Sequence, residues 1–118
     1  MTTIIRLDYP AAHFRRRGKP RWDAATRQLW FNGQLVKQFK RPAFLQELIL
    51  AACEEQGWPD CIDDPLSGQL DQDPKGRLHD TIKRLNRHHR CRAISFHGNG
   101  TGQGIIWKRL EKIASGPR

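Results

Sequence analysis

The stretch PKGRLHDTIKRLNRHHRCRAISFHGNGTGQGIIWKR, residues 74–109, decides how the rest of the chain is read. Leu78, Ile82 and Leu85 recur at helical spacing, which predicts a helix with one buried face and a cationic remainder. Asp73 is placed to cap it, and Pro74 to occupy its first position, where a missing N–H costs nothing. Gly76 weakens the first turn, so the firm helix is expected from Arg77. Beyond it, "RAISF" and "GIIWKRL" read as two apolar strands. Between them Gly98, Gly100, Gly102 and Gly104 are separated only by small or polar residues. A cationic helix beside a glycine-rich hairpin is a surface suited to a nucleic-acid duplex.

Upstream, "RQLWF" and "QLVKQF" flank Asn32-Gly33, a dipeptide that supplies the positive φ angles of a tight hairpin turn. Pro42 opens a second helical pattern. Phe44, Leu45, Leu48, Ile49, Ala52 and Cys53 form its expected buried face, and Gly57 and Pro59 stop it. Asp64-Pro65 is expected to start a short helix with Leu66 and Leu70 turned inward. Residues 2–9 read as a short strand, residues 1–21 as a strand plus a basic flexible arm, and residues 111–118 as a frayed tail. The expected architecture over residues 22–110 is α+β: a winged helix-turn-helix. It would have three helices, an N-terminal β-hairpin or small sheet, and a C-terminal β-hairpin wing.

The 118 residues suit one domain with a modest core, and the formal net charge is +9. Residues 1–21 carry +5, residues 22–74 carry −5 and residues 75–118 carry +9. Such asymmetry points to a polyanion met by one face. Three cysteines at irregular spacing do not form a disulfide framework and suit a reducing interior. No apolar run approaches a membrane span and no secretory leader is visible, so a cytoplasmic protein without membrane contact is expected.

From about Gln28 to Trp107 the chain resembles the winged-helix effector domain of OmpR-type response regulators. Leu78, Ile82 and Leu85 stand at that family's apolar helix positions. Thr81 replaces its frequent His, and Asn86 its usual Arg. Ile94, Phe96, Gly98 and Gly100 are similar to the family's wing, without its Tyr and with a longer loop. The resemblance implies double-stranded DNA as partner and a role in transcription regulation or nucleoid organisation, with the third helix in the major groove.

Lys83, Arg84 and Arg87 are the candidate groove contacts, since guanidinium forks pair bidentately with guanine, and Asn86 is a candidate adenine reader. Lys75 and Arg77 are candidate phosphate ligands at the helix start. Asn99, Thr101 and Gln103 would contact DNA from the wing, with Arg92, Lys108 and Arg109 holding phosphates. The arm Arg15, Arg16, Arg17, Lys19 and Arg21 resembles an AT-hook, a basic segment for an A·T-rich minor groove.

The alternative function is a protein-interaction module using Trp22, Trp30 and Trp58. Cys53, Cys61, His88, His89 and Cys91 lack zinc-knuckle spacing, so no metal site or cofactor is expected. Asp60, Asp63, Asp64, Asp71 and Asp73 are explained by turns and caps, so no enzyme activity is expected.

Overall fold

The computed structural model describes residues 18–66 and 73–110. The strand expected at residues 2–9, the arm residues Arg15, Arg16 and Arg17, and the tail 111–118 lie outside them.

Asn32 and Gly33 adopt φ of 50° and 79° and close a tight turn. They join two antiparallel strands whose third partner precedes them in the chain. The strands are β1 (Pro20–Asp23), β2 (Gln28–Phe31) and β3 (Gln34–Gln38), in that spatial order. β1 takes Pro20 and Arg21 out of the expected arm. Pro20 and Trp22 are buried while Arg21 points outward opposite Trp30. Period-two burial of this kind is a strand pattern, and the charge density of the segment conceals it. Asp23 shapes the turn into β2 by accepting the Ala25 N–H at 3.0 Å.

Helix α1 (Phe44–Glu55) buries Ile49, Leu50 and Cys53. Glu47 Oε2 accepts the Ala43 N–H at 3.0 Å, which satisfies one of the donors left over at a helix start. The helix ends as its sequence predicts, at Gly57 with φ 81°. Trp58 N–H then returns to Cys53 O at 2.8 Å and Gly57 N–H to Glu54 O at 3.1 Å.

The chain next forms a strand that the sequence reading lacked, β4 (Cys61–Asp63). Helix α2 (Pro74–Leu85) and the strands β5 (Ile94–Gly98) and β6 (Gly104–Arg109) complete the described fold. β4 pairs with β6, Ile62 opposite Ile105, so the second sheet has three strands in the order β4-β6-β5. The α+β class therefore holds, but the three-helix winged helix-turn-helix does not. The described residues contain two helices and two three-stranded antiparallel sheets, and the C-terminal hairpin is part of a sheet instead of a free wing. Ile62 drives the difference: it is buried between two exposed neighbours and needs the sheet to cover it. The helix expected from Asp64 begins instead as a turn, in which Asp64 Oδ1 accepts the Leu66 N–H at 2.7 Å. Its remainder, 67–72, lies outside the described residues.

In α2, Asp73 Oδ1 accepts the Gly76 N–H at 3.0 Å, and Pro74 sits at the first position. The helix starts there and not at Arg77. A side chain at Gly76 would collide with the Asp73 carboxylate, so this glycine permits the cap instead of weakening the turn. Leu78, Ile82 and Leu85 are buried as expected.

Aromatic rings join the two sheets. Phe31 of β2 meets Trp107 of β6 with centroids 6.2 Å apart, and Trp58 lies edge-on to Trp107 at 6.0 Å. Glu54 Oε1 accepts from both Trp22 N–H and Trp58 Nε1, each at 2.8 Å. Trp22 and Trp58 are thus buried and Trp30 half-buried, so the contact surface expected of these three side chains does not exist.

Candidate nucleic-acid interface

A bulge in the first sheet sets up the site. Leu29 faces Lys37 and Trp30 faces Leu35, which leaves Val36 as an extra residue in β3. The strict alternation of the strand slips there, and Val36 and Lys37 are both buried in succession. Lys37 is only 6% exposed. Its ammonium donates to Arg84 O at 2.7 Å, to Gln46 Oε1 at 3.0 Å and more weakly to Leu85 O at 3.4 Å. It also lies 5.0 Å from the centre of the Phe39 ring. Burial lowers its pKa to about 8.

Lys37 therefore caps the C-terminal end of α2, where carbonyls lack helical partners and the helix dipole is negative. His89 adds a second contact, with Nε2 2.6 Å from Leu85 O. A carbonyl only accepts, so this nitrogen carries the proton. Burial, the largest influence, keeps the His89 pKa below its ordinary value, and the nearby Lys37 and Arg92 act in the same direction. The segment after α2 then folds back on the first sheet: His88 takes φ 56°, and Arg90 N–H donates to Val36 O at 2.7 Å.

These three segments enclose a cleft of about 540 Å³. Lys37, Lys40 and Arg41 come from β3 and its exit, Arg84 from the last turn of α2, and Arg87 and Arg90 from the return that follows it. Six cationic side chains line it with no Asp or Glu among the lining residues. Lys40, Arg41, Arg84, Arg87 and Arg90 are exposed and have no ion pair among the described residues. The remaining cation of the acidic segment 22–74, Arg27, pairs with Glu47 at 3.2 Å.

The structure divides the sequence-predicted residues. Arg84 and Arg87 meet in the cleft, and Lys83, the residue before Arg84, is exposed on α2 but does not line it. Lys75 lies at the other end of the helix, about 14 Å from Arg84 along the axis. It lines a separate depression with Asp63, Asp64 and Gln103, its stem against Gly102. Arg77 turns inward and donates to Leu66 O at 2.9 Å. Asn86 faces the sheet: its amide donates to Phe96 O at 2.9 Å and its oxygen accepts Phe96 N–H at 2.8 Å. Both ends of the carboxamide are thus engaged within the fold, which turns Asn86 toward β5 and gives it a structural role.

The glycine-rich loop is internally tied. Asn99 Oδ1 accepts from the Thr101 N–H at 3.0 Å and its hydroxyl at 2.7 Å, and Thr101 Oγ1 accepts the Gln103 N–H at 3.0 Å. Arg92 and Lys108 are exposed, whereas Arg109 donates to Gly18 O at 2.6 Å and stacks over Trp107. Of the arm, Lys19 donates to Trp58 O at 3.1 Å, beyond the end of α1.

Lys37, Lys40, Arg41 and Arg90 escaped the sequence reading. The first three sit in the segment whose average charge is negative, and Lys37 also hides behind a bulge that no local pattern announces. Among the described residues, no three His, Cys, Asp or Glu side chains gather as a metal site. No helix of the described residues is long and apolar enough to cross a membrane. The chain matches no family model, no curated protein and no solved structure. None of these comparisons supports the expected likeness to OmpR-type effector domains.

Proposed function

We propose that this protein binds double-stranded DNA by seating the phosphate backbone in the cleft at the C-terminal end of α2. The observation that carries this reading is the convergence of six cations from three segments with no carboxylate among them. Concentrating unpaired like charges in one concavity is unfavourable by itself, and a polyanion relieves it. Lys37 and His89 support the same reading, because they occupy carbonyl oxygens that would otherwise repel a phosphate. Lys83 and Arg84 on the last turn of α2, and Arg87 just past its end, then present exposed ammonium and guanidinium groups, which suits a helix end approaching the major groove. The role is that of a binding protein without catalysis, in transcription regulation or nucleoid organisation. Three free cysteines favour a cytoplasmic setting.

The test is titration of a labelled duplex at several salt concentrations. Binding should weaken with a log–log slope of about −0.9 for each phosphate engaged. Absence of binding at low salt, or binding indifferent to salt, would overturn the reading.

A further inference from the structure

Phe44 is the one large hydrophobic side chain that is exposed among the described residues, at 64%. It occupies the first position of α1, where its sequence spacing predicts burial with Leu45 and Leu48. A single exposed aromatic has no meaning by itself. Its surroundings supply one. Ala43, Phe44, Leu45, Gln46, Thr81 and Arg84 line a depression of about 180 Å³. Gln46 and Arg84 also line the cationic cleft, so the aromatic depression and the cleft are neighbours that share these two side chains as a border.

The pairing of chemistries matches one kind of ligand fragment. A ring with a hydrophobic face and polar edges would lie on Phe44. Its phosphate, a sugar's length away, would lie by Arg84. The Gln46 oxygen is held by Lys37, which fixes the side chain and leaves its amide N–H groups to meet the edge of a ring. In intact duplex DNA the bases are stacked on each other and present no face to a protein. A nucleotide that has left the stack does.

We propose that Phe44 receives an unpaired nucleobase, so that the cleft takes a duplex carrying an extrahelical nucleotide in preference to a perfect one. This inference rests on the proposed binding of DNA in the cleft. The base stacks on Phe44, Arg84 holds the adjoining phosphate, and the remaining cations hold the flanking backbone. Stacking on an aromatic tolerates any base, so the preference is for structure and not for sequence.

Two labelled duplexes of equal length, one fully paired and one with a single bulged adenine, are titrated at the same salt concentration. The bulged duplex should bind about tenfold more tightly. Phe44→Ala should erase that difference and leave affinity for the paired duplex unchanged. Because Phe44 is exposed, this variant should melt at the native temperature, which excludes unfolding as the cause. Phe44→Trp should keep the preference, and its new exposed indole should be quenched by the bulged duplex and not by the paired one. Equal affinity of the native protein for both duplexes overturns the inference and leaves the cleft reading intact. So does a preference that survives Phe44→Ala, or an equal loss of affinity for both duplexes in that variant. Failure to bind either duplex at low salt instead overturns the cleft reading.

Discussion

Lys37 Nζ donates a 2.7 Å hydrogen bond to the carbonyl oxygen of Arg84, a residue 47 positions further along the chain. The contact fixes the end of α2 to the first sheet, and it holds the last turn, which carries Arg84 and leads into Arg87. Lys37→Met keeps the aliphatic stem and removes the donor. The variant should lose about 1–3 kcal/mol of stability, because buried acceptors are left without a partner. Urea unfolding measures this, and an unchanged midpoint with an unchanged slope would contradict it.

The same ammonium makes binding sensitive to alkali. Its pKa is lowered to about 8 by burial, so Lys37 is charged below that pH and neutral above it. At fixed salt, duplex affinity should fall as pH rises from 7 to 9, and should fall less in Lys37→Met. Stability moves the other way. Between about 8 and the ordinary lysine value of 10.5, the unfolded chain holds a proton that the folded chain has released, so this group's contribution to stability rises with pH across that window. Fluorescence anisotropy of a labelled duplex at constant ionic strength reads the first effect, and denaturant titration across pH the second.

Arg41 and Arg90 test the cleft independently of the helix. Arg41→Ala and Arg90→Ala should each weaken binding similarly for all sequences and reduce the magnitude of the salt slope by about 0.9. Lys75→Ala, at the far end of α2 beside Asp63 and Asp64, should leave the slope as it was. Equal slopes for all three variants would place the contact surface elsewhere.

Asn86 offers a test of structural against reading roles. With both halves of its amide on Phe96, Asn86→Ala should cost about 1–3 kcal/mol of stability. Sequence preference should not change, and a binding survey of the variant on a randomised duplex pool checks this. A relaxed preference for adenine at one position would return Asn86 to the interface.

The sequence makes some of this architecture plain and conceals the rest for identifiable reasons. Asn32-Gly33, Gly57 and Asp73-Pro74 mark their turn, stop and start because each acts through its own backbone. Leu78, Ile82 and Leu85 mark the buried face of α2 because a helix repeats. β4 is invisible in the same reading: three residues show no period, and only pairing with Gly104–Ile106 makes them a strand. Without β4 the C-terminal hairpin reads as a free wing. The site divides in the same way. Arg84 on the helix and Arg87 just past its end are legible from the local charge pattern, whereas Lys37, Lys40 and Arg41 reach them through a bulge and a long-range fold. Asn86 is misread for the converse reason, since its partner lies in a strand formed later in the chain.

The two ends of α2 differ in charge, with Lys75 offset by carboxylates at its start and unopposed cations at its finish. Asp63 and Asp64 lie near its start, and Arg84, Arg87 and the cations from β3 lie at its finish. The described residues consequently carry an electrical polarity along α2. Far from contact, the field of a polyanion exerts a torque on it and turns the positive end forward. Productive encounters are then selected during diffusion, before any hydrogen bond forms, and this orienting effect fades as added salt shortens the reach of the field.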